Sequence, residues 1–153
     1  MFTKVKSLVN GVFADCSNLK EIDLENITLM QGSTGTGTSG CAFYNTKIKE
    51  LYLPNLTTLG NISFNYNRGK LTPVEKITIG TKLTTIGQHS FAYTYGVSIK
   101  LLTTQPPSGA VLSINSRNGA FLYVPDEAVD TYKANSNFVN WVPYIKPISE
   151  CPW

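Results

Sequence analysis

An apolar ladder followed by a phenylalanine recurs along this chain, and nothing else in it constrains the fold as tightly. Leu51, Leu53, Leu56, Leu59-Gly60 and Phe64 make one copy. Ile77, Ile79, Leu83, Ile86-Gly87 and Phe91 make the next, with one extra residue before the third rung. Leu8 precedes Phe13 by the same five residues that separate Leu59 from Phe64 and Ile86 from Phe91. Ile22, Leu24, Ile27 and Met30 then repeat the spacing of Leu51, Leu53, Leu56 and Leu59. Self-similarity at a period of roughly 20 to 50 residues marks a solenoid, because each unit can bury its apolar face only against its neighbours. The expected fold class is therefore a β-rich α/β solenoid, short and right-handed, with parallel strands on one face.

Each unit reads as a short strand and an irregular or short helical return. In Ile22-Asp23-Leu24, Leu51-Tyr52-Leu53, Ile77-Thr78-Ile79 and Ile99-Lys100-Leu101 the outer residues point inward and the middle one outward, the two-residue period of a strand. Gly60 and Gly87 are expected to take backbone angles that a Cβ would penalise. Phe13, Phe43, Phe64 and Phe91 should stack as a column of core aromatics. Successive intervals between them are 30, 21 and 27 residues. The first is stretched by the Gly/Thr/Ser run at residues 31–40, read as a surface loop that builds no core. Gly35 and Gly37 lack the following Lys and helix of a phosphate-binding loop. A second insertion, residues 65–73, carries Tyr66, Arg68 and Lys70 and should protrude as another loop.

After Leu101 the pattern changes. Pro106 and Pro107 break the strand, since proline cannot donate to a ladder. Residues 121–125 give one further strand, and Asp126 is expected to N-cap a helix with Glu127 in its first turn and Lys133 in its last. Val129 and Tyr132 fall on its inward face, and Phe138, Trp141, Val142, Tyr144, Ile145 and Ile148 form an aromatic-rich end. Residues 1–102 are thus read as about four repeats, the first incomplete, and 103–153 as a closing repeat with a small α/β cap.

At 153 residues the chain fits one domain. Charge of only 15%, with eight Tyr and seven Phe, suits a β-rich, extracellular-type surface. Net charge of +3 with scattered basic residues does not point to nucleic acid. Three cysteines, an odd number, argue against a disulfide framework. Cys16 and Cys41 read as small buried hydrophobes, with a bridge between them left open, and Cys151 as an exposed tail thiol beside Pro152 and Trp153. The single histidine, His89, lies in a repeat turn as an ordinary surface or half-buried residue. With unclustered Cys and no paired acidic motif, no catalytic residue, metal ligand or cofactor is expected, and the chain is not read as an enzyme. Asp15, Asp23 and Asp126-Glu127 lack calcium-loop spacing. No stretch is long enough for a transmembrane helix, and residues 1–12 lack the apolar core of a secretory signal. Residues 8–13 read as the second half of a unit, so an upstream part or another segment is expected to cover that end. The sequons at Asn26, Asn55 and Asn61 read as incidental.

Phe13-Ala14-Asp15-Cys16-Ser17-Asn18-Leu19-Lys20-Glu21-Ile22 and Leu83-Thr84-Thr85-Ile86-Gly87-Gln88-His89-Ser90-Phe91 resemble the two halves of the BspA-like leucine-rich repeat, a bacterial and protist surface branch of the leucine-rich repeats. The ending from Tyr123-Val124-Pro125 through Tyr132-Lys133 to Trp141 and Tyr144-Ile145 is similar to the closing module of such proteins. The likeness spans about residues 5 to 148. The chain departs from it in the Phe43 unit, where Thr38 stands in the place of Leu8, Leu59 and Ile86. The resemblance implies a leucine-rich-repeat solenoid, an extracellular or cell-surface location, and adhesion to protein or glycan on a host or neighbouring cell.

The surface pattern that fits such a role is the outward row of the strands. In-register stacking would align Asp23, Tyr52, Thr78 and Lys100, with Glu21, Glu50, Lys76 and Ser98 two residues earlier, acid toward one end and base toward the other. Asp23, Glu50, Tyr52, Lys76, Thr78 and Lys100 are the candidate ligand-binding residues, with Glu50 and Lys76 also placed to pair across strands. The leading expectation is a non-enzymatic, monomeric adhesion module. The alternative is a structural spacer of a larger surface protein.

Overall fold

The computed structural model describes residues 4–32, 42–64, 74–91, 96–109 and 120–153. Ten strands follow in chain order: β1 (Ser7–Leu8), β2 (Leu29–Met30), β3 (Glu50–Leu53), β4 (Thr58–Leu59), β5 (Lys76–Ile79), β6 (Thr85–Ile86), β7 (Ser98–Leu101), β8 (Ser108–Gly109), β9 (Leu122–Val124) and β10 (Ile145–Pro147). They form two five-stranded sheets, ordered β1-β2-β4-β6-β8 and β10-β9-β7-β5-β3, and every pairing is parallel. One α-helix, α1 (Val129–Ala134), and a few 3-10 segments complete a repeat α/β fold.

The longer sheet follows the expected alternation. Leu51, Ile77, Ile99, Leu122 and Ile145 share one inward row, and Leu53, Ile79 and Leu101 another, all buried. Residues 22–24 carry the same alternation but do not join the ladder. In continued register Glu21 would lie opposite Glu50, and like charges directly opposed disfavour pairing. Asp23 instead turns back on its own chain, its carboxylate accepting from the Glu25 N–H at 2.9 Å.

The returns hold more structure than expected, because the second sheet runs through them. Its two-residue strands are too short for alternation to reveal. What marks them is a hydroxyl before or within each strand. Thr28 donates to the Lys6 carbonyl at 3.2 Å, Thr57 to Thr28 at 2.9 Å, Thr84 to Thr57 at 3.1 Å and Ser108 to Thr84 at 3.0 Å. Each unit is thus tied to the one before through a side chain as well as its backbone.

The phenylalanine column forms as expected. Phe13–Phe43, Phe43–Phe64 and Phe64–Phe91 have ring centroids 5.6, 6.3 and 5.7 Å apart and are stacked. Gly60 and Gly87, however, are not left-handed. They are small because neighbouring units touch there. A Cβ on Gly60 would lie 2.0 Å from the Gly32 nitrogen, and one on Gly87 2.4 Å from the Asn61 nitrogen. Five left-handed positions flank the phenylalanines: Gly11, Ile62 and His89 lie two residues before, and Asp15 and Asn45 two after.

At the closing end, Tyr132 and Phe138 pack edge to face 5.0 Å apart, and the Tyr132 hydroxyl donates to the Thr103 carbonyl at 3.0 Å. Burial pushes that phenol well above its ordinary range. Asp126 does not cap the helix as expected. The 3-10 turn Asp126–Ala128 intervenes before α1, and the Asp126 carboxylate accepts from the Ser149 N–H at 3.0 Å, fastening the turn Ile148–Glu150. The side chain and then the backbone of Ser149 hold its pKa below the ordinary carboxylate value.

Cys16 is exposed rather than buried. The residue at its repeat position in the next unit, Thr46, is buried, but among the described residues Cys16 has a neighbouring unit on one side only. Cys41, residues 33–40 of the Gly/Thr/Ser run, and residues 65–73 lie outside the described residues. Cys151 is half-buried, because the segment after Glu150 packs back on the molecule.

Candidate functional site

The long strands are held inward by their buried Leu and Ile residues, so the side chains between them stand in fixed rows outside. Tyr52, Thr78, Lys100 and Tyr123 occupy one row, and Glu50, Lys76 and Ser98 the row before it, in the expected register. Tyr52 is 59% exposed. Across neighbouring strands Lys76 Nζ lies 2.6 Å from Glu50 Oε1, and Lys49 pairs with Glu75 between the same units. Both pairs are largely solvent-exposed, which limits each to under about 1 kcal/mol.

Five of the six candidate residues, Glu50, Tyr52, Lys76, Thr78 and Lys100, line a single groove of about 950 Å³. Asp23 does not. It borders a separate apolar recess formed by Val5, Leu8, Val12, Phe13, Ile22, Leu24 and Ile27 beside the first unit. The groove also takes in Lys20, Glu21, Ile22, Lys47, Lys49, Leu102, Ile148 and Trp153. The expected gradient from acid to base is therefore diluted. Lys20, Lys47 and Lys49 stand beside Glu21 and Glu50 at the end expected to be acidic. They lie just before the strand positions, so counting along the strands passes them by.

The largest addition is Trp153. Its ring lies under two lysines from adjacent strands, with Lys100 Nζ 4.0 Å and Lys76 Nζ 5.4 Å from the centroid. Lys100 also donates to the main-chain oxygen of Trp153. Nearby, burial, with the Glu150 carboxylate adding to it, pushes the Tyr123 phenol upward. The sequence signal for this contact is slight: one Pro152-Trp153 pair with no periodicity.

His89 sits half-buried in a left-handed turn, consistent with a structural place in the repeat. Asn55, in one of the sequons, is engaged between units, donating to the Glu25 carbonyl at 2.8 Å and accepting from Lys82 at 2.6 Å. Among the described residues no helix is long and apolar enough to cross a membrane.

The family described as BspA type Leucine rich repeat region matches residues 1–106 in six copies. Repeats of this type are interaction or surface modules, generally non-enzymatic and typically surface-associated in bacteria. No curated protein and no solved structure matches the chain. The match covers more than half of the sequence, and the register of both sheets repeats from unit to unit, so the chain belongs to the BspA-type leucine-rich repeat family.

Proposed function

We propose that this chain is a non-enzymatic, monomeric binding module of a cell surface, a right-handed solenoid of repeats over residues 1–102 closed by residues 103–153, and that it adheres to a protein or glycan of another cell. The observation that carries this reading is the groove across β3, β5 and β7. Its side chains project from a hydrogen-bonded sheet, so little conformational entropy is lost when a partner touches them. Tyr52 offers a large, rigid contact with a polar tip, the residue type favoured at the centre of interfaces. Family membership supports an interaction role on independent grounds.

The test is an array of extracellular-matrix proteins and glycans probed with the wild-type chain and with a Tyr52→Ala, Lys76→Glu double variant. The expected result is a partner whose binding falls at least tenfold in the double variant. Binding that survives both changes overturns the sheet-face assignment, and the Gly/Thr/Ser run at residues 32–40 becomes the segment to delete next. No binding across the array favours the spacer reading.

A further inference from the structure

The segment that follows the 3-10 turn Ile148–Glu150 returns over the sheet and sets Trp153 within the groove. An indole face attracts cations, and here Lys100 and Lys76 both approach it while Lys100 bonds the main chain beside it. The contact covers only β5 and β7. Toward β3 the groove continues past Tyr52, Glu50 and Lys49. Its lining holds five lysines against two glutamates. Glu50 is matched by Lys76, and Lys49 by Glu75, so Lys20 and Lys47 stand against Glu21 and the part beyond Trp153 keeps an excess of positive charge. The complement to these features is a chain that carries an aromatic ring for the lysine pair and carboxylates on either side.

We propose that Trp153 is an internal occupant of the groove, and that the external ligand is an extended protein segment with an aromatic side chain flanked by acidic residues, which must displace Trp153 to bind. This rests on the sheet face being the binding surface. A single ring and one main-chain bond make a weak latch, so the segment leaves and returns readily, and the affinity seen from outside is reduced by the fraction of time the groove is closed.

Two measurements on the full chain test it. First, Trp141 is fully buried, so acrylamide quenching of the tryptophan fluorescence reports Trp153. Quenching should be partial in the wild type and rise in a Lys76→Ala, Lys100→Ala variant. Quenching of wild-type Trp153 equal to that of a free tryptophan peptide overturns the proposal. Second, a fluorescein-labelled heptapeptide of glutamates around one central tryptophan serves as the probe in anisotropy titrations. The Trp153→Ala variant should bind it about tenfold more tightly than the wild type, as expected for a groove closed about nine-tenths of the time. That gain should vanish when Lys76 and Lys100 are also replaced by alanine, and when the probe's tryptophan is replaced by alanine. Equal or weaker binding by Trp153→Ala overturns the proposal, as does displacement of the probe by a neutral oligosaccharide but not by the unlabelled peptide. Failure here, with a partner from the array still sensitive to Tyr52→Ala, rejects the Trp153 latch and leaves the sheet-face reading standing. A partner insensitive to Tyr52→Ala rejects the sheet-face reading itself.

Discussion

Trp141 meets Phe91 edge to face, ring centroids 6.5 Å apart and planes at 80°, whereas the three phenylalanine pairs before it lie within 15° of parallel. The tilted ring offers no face for a further phenylalanine, so the column ends there. Trp141 is fully buried and its indole nitrogen has no hydrogen-bond partner among the described residues. Its role is therefore to fill space. Trp141→Ala should cost about 3–5 kcal/mol. Trp141→Phe should cost clearly less, since it leaves a smaller cavity and removes a buried unpaired donor. Urea unfolding checks both. A loss under about 1 kcal/mol for the alanine variant would show that the column closes without this residue.

Gly60 and Ile62 stand two residues apart and should respond in opposite ways to substitution. Gly60→Ala places a methyl against the Gly32 backbone, which has no flexible end to move aside, and should cost about 3 kcal/mol or more. Ile62 is β-branched at φ 63°, held there as its N–H bonds to Gln88 at 3.0 Å and that of Phe64 to Ser90 at 2.8 Å. Relief of that conformation by Ile62→Gly should stabilise the fold by roughly 1 kcal/mol. Thermal melts of the two variants should move in opposite directions.

The hydroxyl ladder can be tested without changing shape. Thr57→Val keeps the β-branch and deletes the donor to Thr28, so it should cost about 1 kcal/mol. The exposed Thr84→Val should cost less, because water can satisfy the Thr57 carbonyl in its place. Equal losses at the two positions would mean that burial does not set the strength of the ladder.

Acid should loosen the closing end first. The folded pKa of Asp126 is depressed, so its contribution is present above the ordinary value of 3.8 and is lost as pH falls through the folded value. Asp126→Ala should lower stability at neutral pH and flatten the acid limb below about pH 4. Amide exchange at Ser149 should quicken over the same range. An unchanged acid limb in the variant would remove Asp126 from the account.

Where a residue's side of the chain was set by alternation, the sequence could be read directly. Leu51 through Leu101 and the phenylalanine column recur at fixed offsets, and burial is what those offsets encode. Residues 22–24 show the limit, since they carry the alternation and yet do not join the ladder. The second sheet was hidden by the shortness of its strands, and Asp126 by a partner, Ser149, that is distant in sequence. Five of the six candidate residues reach the groove, and they followed from register alone. Trp153 did not, because a single aromatic seated by two distant lysines leaves no period to detect.

The register of the two sheets carries a consequence for how such a protein can change over generations. Met30 to Phe43 is eight residues longer than Leu59 to Phe64, and Phe64 to Ile77 is five longer than Phe91 to Ile99, yet the strands stay in step. Added length is taken up on either side of a phenylalanine, between positions that the strands pin. Doubling such a span costs only about 0.6 kcal/mol in loop closure. The scaffold can therefore accept new sequence at these junctions without retuning its interior or shifting the register of the sheet that faces outward.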